Sequence, residues 1–224
     1  MMESKRHAPL SELVADSLRQ SLKDGVYMCG ERLAESVIAR EMSVSQNTAR
    51  DALATLEKEG WLVKQARRGM SVRAFTVDEA LELYTLRANL ERLALEWAHE
   101  RVTVADQQQL AGFISEARLH AGMHNLRGLH EALFAFHVAI LHIAGKPQTS
   151  TLLHMLLNQC RLLENIRAVY DPPTMDVQLS LIDDYGDLLT RLRYDDQQAA
   201  LNTLFDLIMK QGRALLPVVD LVLR

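Results

Sequence analysis

The 224-residue sequence is poor both in residues that break helices and in residues that cross-link chains. It holds ten glycines and five prolines against an abundance of leucine and alanine, so helix should dominate. Its two cysteines, Cys29 and Cys160, lie far apart, which excludes a CxxC site and a disulfide framework. A reducing cytoplasm suits such a chain. No stretch approaches the roughly 18 apolar residues of a membrane span, and "MMESKRHAPLSEL" is not followed by the apolar core of a signal peptide. No strong charge of one sign is present either. The net charge of −4 divides unevenly: residues 1–75 carry 12 Lys+Arg against 10 Asp+Glu, or +2, and the remainder 13 against 19, or −6. So small an excess excludes nothing, because clustering on one face is what attracts nucleic acid.

What is there is periodic. Leu10, Leu13, Val14, Leu18 and Leu22 form one helical stripe, stopped at Gly25. "AESVIAREM" offers a short second helix, and Ser45 is a good N-cap for a third, through Glu59 and ended by Gly60. "WLVKQ" and "MSVRAF" alternate around "ARRG" as the arms of a hairpin. Three helices and a hairpin in about 75 residues describe a winged helix-turn-helix. Thr76-Val-Asp-Glu79 then reads as a capping box opening a long helix through about Glu100. Only helices follow, at about 104–121, 126–144, 148–170, 177–194 and 196–221. The expected fold is mainly α: a winged helix-turn-helix over residues 1–75 and an all-α bundle of about six helices over 76–224.

On the third helix, Ala49, Ala52, Leu53 and Leu56 should face the core. Gln46, Asn47 and Arg50 then project from the other side at the N-terminal end. That end of a recognition helix meets base edges, where Gln and Asn suit adenine and Arg suits guanine. Ser45, Thr48 and the open backbone N–H groups suit phosphate. Arg67 and Arg68 flank Gly69 at the hairpin tip, where glycine lets the backbone approach a groove edge. Each feature alone also fits a solvated helix beside an ordinary hairpin; together, in this order, they point to double-stranded DNA.

Residues 10–74 resemble the DNA-binding domain of the GntR family of bacterial transcription regulators, through "LKDGVYMCGERLAE", "VIAREMSVSQNTARDALATLEKEGWL" and "RRGMSV". The resemblance implies DNA contact by Arg50 and the wing Gly69. The family usually places arginine directly after the "VS" pair; here it is Gln46, so an altered operator sequence is expected. Residues 77–215 resemble, more loosely, the FCD class of GntR effector domains, whose bundle encloses a ligand cavity. "LYTLRANLERLALEWA", "FAFHVAILHIAGKP" and "LRYDDQQAALNTL" carry this likeness.

Many FCD domains hold a divalent metal through an aspartate four residues before the Phe-His histidine and two histidines of the last helices. Here His137 remains, but Leu133 stands at the aspartate position, Tyr185 at the first later histidine and the second falls near Leu207. No histidine follows His154, and one imidazole holds such an ion weakly, so no metal or other cofactor is expected. His130 and His137 are too far apart along one helix to chelate an ion together, and His120 with His124 reads as a solvated pair. Arg87 sits among apolar positions, so either Glu91, one turn on, or a ligand carboxylate must balance it. With His137 and Tyr185 it forms the candidate effector site, for which an organic acid is the expected ligand.

The leading expectation is a homodimeric, ligand-responsive regulator binding a near-palindromic operator, repression being the commoner family mode. Two others stand beside it. One is an architectural DNA-binding protein whose cavity is filled by side chains; the other is an enzyme using His137 and Tyr185 as acid and base, although no nucleophile elbow or phosphate loop accompanies them.

Overall fold

The capped, periodic segments of the sequence fold as nine α-helices and three short strands among the described residues of a computed structural model, which are 9–65, 69–194 and 196–223. The chain divides between Ala74 and Phe75 into two compact units. Arg67 and Arg68 fall outside the described residues.

In the first unit α1 (Leu10–Lys23), α2 (Glu35–Glu41) and α3 (Gln46–Lys58) surround one core. Ser45 caps α3 by accepting a hydrogen bond from the Thr48 amide. Ala49, Ala52, Leu53 and Leu56 are buried beneath it, as their spacing predicts. The stripe on α1 is shorter than the sequence suggests: Val14, Ala15, Leu18 and Leu22 are buried, but Leu10 and Leu13 remain more than half exposed. They lie in the first turn, and α1 has its main packing partner in α3. An apolar stripe is buried only as far as the partner helix extends. Arg19 locks the two helices through Glu59, with Nε and Nη2 donating at 2.8 and 2.6 Å.

The hairpin consists of β2 (Leu62–Gln65) and β3 (Gly69–Val72), with Leu62 opposite Val72 and Gln65 opposite Gly69. Gly69 has φ +83°, a left-handed conformation that Cβ-bearing residues rarely adopt. The sheet has a third strand that the sequence reading missed. The two-residue β1 (Arg32–Leu33) pairs antiparallel with β3, giving the order β1-β3-β2. Two residues show no alternation, so only the tertiary pairing reveals them.

The second unit holds α4 (Val77–His99), α5 (Val104–Gly122), α6 (Leu126–Ala144), α7 (Pro147–Tyr170), α8 (Met175–Arg193) and α9 (Gln197–Leu223). The capping box at Thr76 and Glu79 is formed in both directions. Gly145, at φ +61°, ends α6, and Pro147 opens α7. Helix α4 packs against α6, α7 and α9, so its middle turns face inward on several sides. Small residues (Ala80, Ala88, Ala94 and Ala98) let the neighbours close on it. No described helix is long and apolar enough to cross a membrane.

Candidate functional site

In the first unit Ser45, Gln46, Asn47 and Arg50 are exposed at the start of α3 and Thr48 is half-buried. The Ser45 and Thr48 hydroxyls lie 2.9 Å apart, so part of their hydrogen-bonding capacity is already used in the cap. A groove of about 520 Å³ runs beside them, bordered by α3, β1, the start of α2 and the hairpin residues Lys64 and Gly69. Arg32, Arg50 and Lys64 bring positive charge to it, and Glu35 and Glu57 negative charge. Arg50 does not hang in solvent. Its Nε meets both Glu35 oxygens, at 3.2 and 3.0 Å, and Nη2 lies 2.9 Å from Oε2. Both partners are well exposed, so a phosphate or a base can displace the carboxylate at small cost. Glu35 and Arg32 were not legible as site residues, because nothing in the sequence says that the second helix and a two-residue strand border the third.

In the second unit the middle of α4 meets α6, α8 and α9 in a dry polar network. Arg87, Glu91, His137 and Tyr185 are each no more than 3% exposed. Arg87 Nε donates to Glu91 at 2.6 Å, and its Nη2 donates to His137 Nε2 at 2.9 Å. Guanidinium nitrogens only donate, so Nε2 must accept and the ring proton sits on Nδ1, which donates to the other Glu91 oxygen. The Tyr185 hydroxyl reaches the same Nε2 at 2.6 Å and accepts from Gln211 at 3.3 Å. Phe136 wedges edge-on against the Tyr185 ring, centroids 5.1 Å apart, and fixes it. Burial would raise the Glu91 carboxyl, but His137 and Arg87 outweigh it and bring it down to about 2. Burial raises the Tyr185 hydroxyl and takes the Cys160 thiol to about 12, so neither is an anion at neutral pH.

The structure thus joins all three expected effector residues and chooses Glu91 as the counter-charge of Arg87. It also adds Gln211, one turn beyond Leu207, as the α9 residue that meets Tyr185. The metal implied by the FCD resemblance does not fit this donor set. Leu133 offers no ligand atom, His137 Nδ1 is held by Glu91, and a guanidinium faces Nε2 where a cation would have to approach. Of the other histidines, His154 Nδ1 donates to the Ser150 carbonyl at 2.7 Å, one turn back on the same helix.

Above the network lies a cavity of about 60 Å³. Its wall is apolar on the side of Leu133, Phe134, Leu157 and Leu215, and carries three arginines, Arg87, Arg161 and Arg167, together with the carboxylate of Glu164. Arg161 donates to Glu131 at 2.8 Å, so two of the three are paired. The Arg167 Nε is buried and has no hydrogen-bond partner among the described residues. His130 faces the same space. Burial, with Arg161 and Arg167 near it, outweighs the opposing carboxylates of Glu164 and Glu131 and pulls its basicity down.

The chain matches two family models. "Bacterial regulatory proteins, gntR family" matches residues 10–72, and "FCD domain" matches residues 82–208, more than half of the chain. Among curated relatives, the Uncharacterized HTH-type transcriptional regulator YdhC of Bacillus subtilis is 33% identical over 42% of this chain and 41% of its own length. The Nta operon transcriptional regulator of Aminobacter aminovorans is 36% identical over 39% of this chain and 41% of its length. The aligned segment therefore spans about two fifths of those two relatives. The HTH-type transcriptional regulator McbR of Escherichia coli is 23% identical over 94% of both chains. The solved structure of E. coli McbR/YncC superposes with a TM-score of 0.80 at 21% identity, covering 94% of this chain and 98% of that one. A putative GntR regulator from Rhodococcus sp. RHA1 gives 0.76 at 23% identity, over 92% and 97% of the two chains.

Proposed function

Because the chain belongs to the GntR family of bacterial regulators and carries its FCD domain, we propose that it is a DNA-binding transcription regulator whose operator affinity responds to a small organic acid in the helical unit. The observation that carries the DNA half is the exposed row Gln46, Asn47 and Arg50 at the capped start of α3, beside a groove that ends at the wing glycine. Gln46 and Asn47 read base edges, Arg50 exchanges Glu35 for a base or phosphate, and Arg67, Arg68 and Lys64 hold the backbone. Two such units in a homodimer read the halves of a near-palindromic operator, acting as a repressor in the cytoplasm. Gln46 gives that operator a sequence different from the usual family site.

The effector half works without metal in this reading, with the network of Arg87, Glu91, His137 and Tyr185 as a rigid floor. The family is one of regulators and not of enzymes, and the His137–Tyr185 pair is a structural element of that floor. A second reading, a DNA-binding protein with no effector, is favoured by the small cavity. Against it stands the polar lining of that cavity, where the buried Arg167 Nε has no hydrogen-bond partner among the described residues. Selection of genomic duplex fragments by the full-length protein at moderate salt tests the proposal: enrichment of a two-fold symmetric motif supports it, and binding no better than to random competitor overturns it.

A further inference from the structure

We propose that Glu35 sets the sequence selectivity of the first unit: it withholds Arg50 from the phosphates of arbitrary DNA and yields it only to a base that offers two acceptors. This rests on the reading of that unit as DNA-binding. Among the described residues three cations border the groove beside α3, and they are not equally available. Arg32, on the edge strand β1, and Lys64, on β2, are exposed and form no ion pair among the described residues. Both can meet the phosphates of any sequence. Arg50 is different. Glu35 holds one edge of its guanidinium, through Nε at 3.0 and 3.2 Å and Nη2 at 2.9 Å, while Nη1 has only a 3.5 Å contact with the Asn47 amide oxygen. The arginine of the base-reading row is thus already paired, by a carboxylate from another helix.

Exposure decides what this pairing does. The Arg50 and Glu35 side chains are 58% and 36% exposed, so the pair opens readily and re-forms readily. On an arbitrary sequence a phosphate offers Arg50 no more than the carboxylate it already holds, and taking it strands Glu35 beside a polyanion. Arg50 then stays with Glu35 and adds nothing to the affinity. On the right sequence a guanine presents O6 and N7 side by side, two acceptors for two nitrogens. The neighbouring Gln46 and Asn47 add base contacts there that offset the isolation of Glu35. Selectivity comes from the unpaired charge that every wrong site would leave behind. Glu57 borders the same groove without pairing to Arg50, so it repels all duplexes alike.

The test measures, by fluorescence anisotropy on the full-length protein, affinity for a random duplex and for the duplex enriched from genomic fragments, each across a salt series. Glu35→Gln should tighten the random duplex roughly five- to tenfold and steepen its log–log salt slope by about 0.9, the signature of one added phosphate contact. The enriched duplex should gain roughly twofold or less, so the preference between the two falls about three- to fivefold. A gain in affinity cannot come from an unfolded variant. In an Arg50→Gln background, Glu35→Gln should no longer move the preference. Glu57→Gln should tighten, and Arg32→Gln weaken, both duplexes by the same factor. No gain on the random duplex, an unchanged preference, an equal loss of preference in Glu57→Gln, or an effect that persists without Arg50 overturns the proposal. Any of these beside selective wild-type binding leaves the regulator reading standing; a wild type that prefers no duplex sinks both.

Discussion

Glu91→Gln is the sharpest probe of the buried network, because it changes one atom and one charge. The Glu91 side chain is 1% exposed, and its carboxyl is held at about 2 in place of the ordinary 4.5. Converted through proton linkage, that depression is on the order of 3 kcal/mol of stability. A second route gives a similar figure: removing one partner of a buried ion pair costs about 3–5 kcal/mol, since Arg87 would stay buried without its counter-charge. The folded value lies below the unfolded one. The contribution is therefore complete above about pH 4.5 and disappears as pH falls through 4.5 toward 2. Urea titrations followed by far-UV circular dichroism, which reports mainly the helices of the second unit, should place the variant about 3–5 kcal/mol below wild type at pH 7. Its melting should come roughly 6–20 °C earlier. The gap should hold at pH 6 and narrow between pH 4.5 and 3. A variant within 1 kcal/mol of wild type at pH 7, or a gap that stays constant down to pH 3, would show that the carboxylate is not what balances Arg87.

Three further outcomes are expected. Gly212→Ala places a methyl carbon 2.5 Å from the buried Tyr84 ring. Overpacking of about 1–3 kcal/mol should exceed the roughly 1 kcal/mol gained in helix propensity, so calorimetry should find a Tm lower by a few degrees. In gel-shift titrations Arg50→Ala should weaken operator binding by roughly ten- to a hundredfold, whereas Glu35→Gln, which releases Arg50 from its carboxylate partner, should strengthen it; weaker binding by Glu35→Gln would make Glu35 a DNA-positioning residue instead. Exhaustive dialysis against EDTA should move neither Tm nor DNA affinity, and a fall in Tm of several degrees that zinc restores would reinstate a metal site.

Local order was legible wherever one short stretch carries its own cause. The Ser45 cap, the capping box at Thr76 and Glu79, the glycine stops and the apolar face of Ala49, Ala52, Leu53 and Leu56 follow from side-chain chemistry within four residues. The family likeness lay in the same local signals. What sequence could not decide is which residues far apart meet. The strand at Arg32 is too short to show a period, and Leu10 and Leu13 continue a stripe past the helix that should cover them. The balance of charge in the second unit is the plainest case. Arg87, Glu91, His137, Tyr185 and Gln211 come from four helices, and only their packing made Glu91 the counter-ion of Arg87, as packing made Glu131 that of Arg161. Sequence determines which charges a chain owns; the tertiary fold determines which of them are already neutralised, because an ion pair needs two side chains within 4 Å and desolvation sets what an unmatched one costs.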